Sequence, residues 1–140
     1  MQRKISKDIL FLSINLLLII IVGLYAFIKD KPEYILNLPS IDNIESIEIS
    51  KNENRIFIET DKNTEEIINL LNNKKTNNES ITDYPNNTSE LYKINFIHKE
   101  IGSSTIYLYK RKNNYYIEQP YNGIYKITES EYNKILSYEK

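Results

Sequence analysis

Twelve tyrosines, one histidine and no cysteine set the chemical repertoire of this chain before any fold is considered. With His98 alone no histidine cluster can be assembled, and without cysteine a thiolate site is closed off, so a zinc enzyme built on those ligands is not expected. His98 falls at a strand end, with no serine, aspartate or glutamate at a spacing that signals a triad, and reads as a surface or strand-end residue. The adjacent carboxylates Glu65 and Glu66 are of the type that does acid and base work in pairs. In the first turn of a helix, where the pattern puts them, they are better explained as partners of the helix dipole. The three glycines, Gly23, Gly102 and Gly123, are too scattered for a phosphate-cradling loop. The expectation is a protein with no metal, no cofactor and no catalysis of its own.

Tyrosine is concentrated in the C-terminal half. If Ile106, Leu108 and Ile117 turn inward, strand alternation puts Tyr107, Tyr109 and Tyr116 on the opposite face, together with Thr105 and Glu118. Such a face offers aromatic contact area and hydrogen-bonding groups to a protein, peptide or glycan partner. Strand propensity and cross-strand pairing would place the same tyrosines with no partner at all. The candidate ligand or partner surface is therefore Tyr107, Tyr109, Tyr116 and Glu118, followed by the loop residues Ser80, Asp83 and Tyr84. From Lys31 onward there are fourteen Lys or Arg against seventeen Asp or Glu, a net charge of −3. That balance gives no electrostatic footprint for nucleic acid. The triplets starting at Asn78, Asn86 and Asn87 match a glycosylation acceptor only formally, because Ile, Asn, Lys and Tyr are all abundant, as in an AT-rich bacterial composition.

The elements that must position these residues begin with an uncharged apolar run over residues 9–28, opening at Ile9 and closing at Ile28. At about 1.5 Å per helical residue it reaches roughly 30 Å, the thickness of a bilayer's hydrocarbon core. A transmembrane helix anchored in the lipid bilayer is expected. Arg3, Lys4 and Lys7 precede it against Asp8 alone, whereas Lys29 and Lys31 are offset by Asp30 and Glu33. The tail over 1–8 should therefore stay in the cytoplasm and the rest lie outside the cell membrane. A cleaved signal peptide is the rival reading, but its apolar region runs only roughly 7 to 15 residues, and Leu24, Tyr25 and Ala26 make no small-x-small cleavage site. Ser13 and Asn15 could bond to a partner helix or simply be tolerated.

Residues 29–43, with Pro32 and Pro39, read as an extended stalk. A domain over 44–138 follows. Ile47 and Ile49 alternate with polar residues, as do Ile56 and Ile58, and KNEN between them signals a hairpin turn. Ile67, Ile68 and Leu71 then fall at helical spacing behind Asn63 and Glu66, a capping pair. After an irregular stretch over 74–87, four strands follow, around Ile94 and Phe96, Ile106 and Leu108, Ile117, and residues 123–127. Thr128 and Glu131 cap a final helix presenting Tyr132, Ile135 and Leu136. The expected class is α+β: a transmembrane helix, then a ββαββββα domain with an antiparallel sheet, two helices on one face and the other face partly wet.

The segment SSTIYLYKRKNNYYIEQPYNGIY over 103–125, with KKTNNES over 74–80 and the triplet Asp83, Tyr84, Pro85, resembles an uncharacterised domain-of-unknown-function family of low-GC bacteria. The resemblance covers roughly 44–136. It implies an extracytoplasmic domain behind a single span, as in members that also occur appended to sensor-type membrane metallopeptidases, and a sensory or accessory part. It implies no site residues, and the His-Glu-x-x-His motif of those peptidases is absent, so protease activity does not transfer. Three functions stay open: a membrane-tethered binding or accessory module, which is the expectation; an immunity factor against a surface-acting peptide or toxin; and a small envelope enzyme.

Overall fold

The computed structural model describes residues 7–29, 31–52, 54–58 and 61–139, which form two units, one up to Pro32 and one from Glu33. The first unit is helix α1 (Lys7–Lys29). Its window Ile9–Lys29 has a mean hydropathy of 2.7 with no part of it buried, so by length and composition it can cross a membrane. Ser13 Oγ donates to the Leu10 carbonyl at 2.8 Å and Asn15 Nδ2 to that of Phe11 at 2.9 Å. Each side chain thus finds a backbone acceptor within its own helix. Residues 1–6 of the expected cytoplasmic tail lie outside the described residues.

In the second unit, β1 (Tyr34–Ile35) is followed by a 3-10 turn (Ile41–Asn43), β2 (Ile44–Lys51), β3 (Asn54–Ile58), α2 (Asp61–Leu71) and β4 (Lys75–Thr76). Then come β5 (Ser89–His98), β6 (Ser103–Arg111), β7 (Asn114–Gln119), β8 (Gly123–Ile127) and α3 (Glu129–Leu136). The main sheet is antiparallel throughout, in the order β3-β2-β5-β6-β7-β8. One face carries Ile47, Ile49, Ile94, Phe96, Ile106, Leu108 and Ile117, all nearly inaccessible, and α2 and α3 close over it with Ile67, Leu71, Tyr132 and Ile135. Period-2 alternation on the strands and period-3.6 spacing on the helices converge on a single core. The fold is the α+β class expected.

The capping box at α3 is present as read: Thr128 Oγ1 accepts from the Glu131 amide, and Glu131 accepts from the Thr128 amide at 2.7 Å. At α2 the start differs. The helix begins at Asp61, which places Asn63 inside it and moves Glu65 and Glu66 beyond the first turn. Glu66 instead meets α3, accepting from the Tyr138 hydroxyl at 2.5 Å and pairing with Lys134 at 3.1 Å. The role given to Glu66 as a dipole partner is corrected to that of a tie between helices.

The stalk is also corrected. Tyr34 and Ile35 pair with Thr76 and Lys75 in a second, two-stranded sheet, and Leu36 is buried in the core. Asn37 exchanges two bonds with the Gln119 side chain, and Asn122 Nδ2 donates to the Ile35 carbonyl at 2.8 Å. A two-residue strand has no period to read, and its partners lie far along the chain, so the segment looked extended and free. In the turn before β8 the residue with positive φ is Tyr121, so Gly123 is not required there by its own backbone angle. A Cβ on Gly123 would lie 2.8 Å from Thr76 Cγ2 and from the Tyr125 ring, so glycine is required there by close approach.

A loop-clamped tyrosine face and its groove

Alternation on β6 and β7 places Tyr107, Tyr109, Tyr116 and Glu118 on the sheet face away from the helices. The register sets Tyr107 opposite Glu118 and Tyr109 opposite Tyr116. The Tyr109 and Tyr116 rings stack with centroids 5.6 Å apart, and the Arg111 guanidinium lies over both, at 5.2 and 5.9 Å. Arg111 is fixed further by a bond from its NH2 group to the Asn86 carbonyl at 3.1 Å.

The expectation of an open face is corrected here, because the loop over 77–88 lies across it. Ser80 Oγ donates to Glu118 Oε1 at 2.7 Å, and the Tyr109 hydroxyl donates to Glu118 Oε2 at 2.9 Å. Thr82 Oγ1 approaches Glu118 Oε1 at 3.4 Å, and the Tyr84 ring meets Tyr107 edge-on with centroids 5.3 Å apart. Along the edge, the Ser80 amide donates to the Asn122 carbonyl and the Ile124 amide to that of Asn78. Ser80, Tyr107, Tyr109 and Glu118 are consequently buried, Tyr116 is half-buried, and only Asp83 and Tyr84 remain exposed. All seven candidate residues are brought together, by one contact between loop and sheet.

A carboxylate as deeply buried as Glu118 is tolerated only when its oxygens are bonded, and hydroxyl donors on both oxygens supply that. The environment acts on the tyrosines in turn. Burial pushes the Tyr109 hydroxyl well above its ordinary value, the facing Glu118 charge and bond add to this, and Arg111 opposes it. Tyr107 is raised by burial first, then by Tyr84, Asp83 and Glu118. Both stay neutral at physiological pH, and Tyr109 remains the donor to Glu118.

Beside the clamp lies a groove of about 340 Å³. Ser50, Lys93 and Tyr107 form one row across β2, β5 and β6 and lie along it, with Tyr84 on the loop side and Asn52 on the hairpin side. Leu91 and Glu90 line it where β5 bulges: the register shifts between Ser89 and Tyr92, and Glu90 takes φ 52°. Lys93 is exposed, and its ammonium has no partner among the described residues. The ammonium of Lys51, at the rim, sits over the Tyr92 ring at 4.8 Å. The sequence reading missed Lys93 because alternation along one strand does not say which tyrosine stands beside it; the pairing of β5 with β6 does.

His98 is also repositioned. The hairpin joining β5 and β6 brings Ser104 Oγ to 3.0 Å from His98 Nε2, a serine that spacing alone did not suggest. Among the described residues no carboxylate bonds the other ring nitrogen, and the adjoining cavity is only about 90 Å³, well below the roughly 300–1,000 Å³ of small-molecule sites. Among the described residues, no three His, Asp or Glu side chains are grouped to hold a metal.

A six-stranded antiparallel sheet with helices on one face and a clamped loop on the other makes this a small α+β domain. Residues 32–126 match the family DUF5301, described as a domain of unknown function (DUF5300), and the chain belongs to that family. A similar solved structure is the NMR structure of a protein from Ruminococcus gnavus, 32% identical, covering 69% of this chain and 97% of its own, with a TM-score of 0.58. No curated protein matches the chain.

Proposed function

We propose that the protein is a membrane-anchored binding module, its domain outside the cytoplasm, which holds an acidic peptide in the groove beside the clamped loop and performs no chemistry of its own. The observation that carries this reading is the exposed ammonium of Lys93, without a partner among the described residues, in a groove that Tyr84 and Tyr107 also line. A groove of about 340 Å³ falls within the roughly 300–1,000 Å³ of small-ligand sites, and its mix of aromatic surface with a few polar groups is the usual composition of such sites. An anionic group would meet Lys93, and an apolar side chain would lie on Tyr84. The exposed apolar helix supports anchoring, and the charges flanking it support an outer domain.

The test is a titration of the full chain in lipid nanodiscs with a tetrapeptide carrying tyrosine and a terminal glutamate, beside its glutamine amide, followed by backbone NMR. The acidic peptide should perturb the amides of Ser50, Lys93 and Tyr107. Lys93→Glu should weaken binding at least roughly tenfold, the effect of losing one charge-assisted contact and gaining a repulsion. Both Lys93 and Tyr84 are exposed, so Lys93→Glu and Tyr84→Ala should leave the fold intact. Equal responses to both peptides, or an unchanged response in Lys93→Glu, would remove the groove as the binding site.

A further inference from the structure

The two ends of the sheet differ in what they expose. At one end, the β2–β3 and β6–β7 turns present Asn52, Lys112 and Asn113 to solvent. At the other end lie the β5–β6 turn, the β7–β8 turn, the 3-10 turn before β2, and β1. There Ile101 is completely exposed, Tyr121 is 71% exposed, and Ile35 and Ile41 are 48% and 37% exposed. Ile81, 75% exposed, directly follows Ser80, whose amide bonds the Asn122 carbonyl in the same end. Full burial of one such side chain is worth about 1.5–3 kcal/mol, and single exposed residues need no explanation. Five at one end concentrate exposed apolar surface there, and such a concentration marks an interaction surface.

The route of the chain says what covers it. β1 belongs to this end, and Tyr34 follows Lys29, the last residue of α1, by only five positions. At about 3.3–3.6 Å per extended residue, the tether reaches at most roughly 18 Å. A helix seated in a bilayer therefore leaves the lipid surface within reach of this end. The residue types fit the boundary between headgroups and acyl chains, with isoleucines to insert and an amphipathic tyrosine ring to sit at the headgroup level. Charge at this end has no basic excess: Lys99 is followed by Glu100, Lys75 is paired with Glu33 at 2.8 Å, and Asp42 and Glu79 add negative charge. Apolar insertion, not attraction to anionic lipid, is the driving term.

We infer that the β1 end of the domain, through Ile101, Tyr121, Ile35 and Ile41, docks into the surface of the bilayer that α1 spans. The inference rests on the anchoring part of the reading above and is independent of which side of the membrane the domain occupies. It holds the groove in a fixed orientation to the lipid plane.

The chain has no cysteine, so single substitutions can be labelled uniquely. Full-length protein is placed at one copy per phosphatidylcholine nanodisc, carrying an environment-sensitive fluorophore at Ile101→Cys or Tyr121→Cys, at Asn52→Cys or Asn113→Cys for the opposite end, and at Leu18→Cys for the anchor. Labels at positions 101 and 121 should be quenched by a nitroxide lipid and shielded several-fold from aqueous iodide, and those at 52 and 113 should show the reverse. Ile101→Asn should return the label at 121 toward aqueous behaviour, which separates insertion by the protein from insertion by the dye. If 101 and 121 behave like 113 while 18 remains lipid-quenched, the docking is overturned and the anchor stands. Loss of lipid quenching at 18 overturns both. Shielding that appears only with two copies per disc identifies a second chain as the occupant and overturns the lipid assignment.

Discussion

Glu118 organises the non-helical face of the sheet: it is buried, and hydroxyls from Ser80 and Tyr109 bond its two oxygens. Removing one donor leaves a buried charge short of a partner, which costs more than the bond itself gained. Ser80→Ala should therefore destabilise the domain by about 1–3 kcal/mol. Hydrogen exchange should rise first in the loop over 77–88, ahead of the β6 and β7 amides; uniform acceleration across the sheet would show that Ser80 does not clamp the loop. The face of each tyrosine was legible in the sequence because strand parity is strict. Burial of that face was not, because the residue that seals Glu118 stands 38 positions away and belongs to a segment with no periodicity. For the same reason Lys93 and Ser104 were missed, since each acquires its neighbour only through strand pairing.

Helix α3 is attached by carboxylates, which makes its docking sensitive to acid. Bonds from Tyr138 and Lys134 hold Glu66 below the ordinary carboxylate range. Burial alone would raise Glu131, but the bond from Lys74, at 2.6 Å, and those from Thr128 outweigh it and leave its value lowered. A carboxyl depressed in the fold contributes stability that is complete above its unfolded value, 4.5 here, and that is lost as pH falls through the folded value. The amides of α3 should thus lose exchange protection on acidification below that value while the central strands β5 and β6 keep theirs. Simultaneous loss in all three would contradict a local role for these carboxylates. The α3 cap was readable because Thr128 and Glu131 act on each other within one turn. The start of α2 was not, since a capping pattern also matches at Asn63; burial of Thr64, Ile67, Ile68 and Leu71 against the sheet decides the helix from outside the local sequence.

At the scale of the whole molecule, the chain joins one apolar helix to a domain whose segment from β1 to the 3-10 turn is folded, where an extended stalk over 29–43 was expected. Composition revealed the helix because twenty uncharged residues need no partner to be recognised; the two-residue pairing of β1 with β4 depends on long-range contacts and left no local trace. The family match, 32–126, begins close to where the second unit does, which agrees with a domain that includes β1. The claim on which the functional reading depends is that this domain faces the outside of the cell from a helix that stays in the membrane. Asn113→Cys, placed in an exposed turn of an otherwise cysteine-free chain, tests it most directly through a membrane-impermeant maleimide applied to intact cells. The expected result is labelling of intact cells to the same extent as lysed ones, on a full-length chain that sediments with membranes. Labelling that appears only after lysis, or label on a shortened chain released from the membrane, would contradict it.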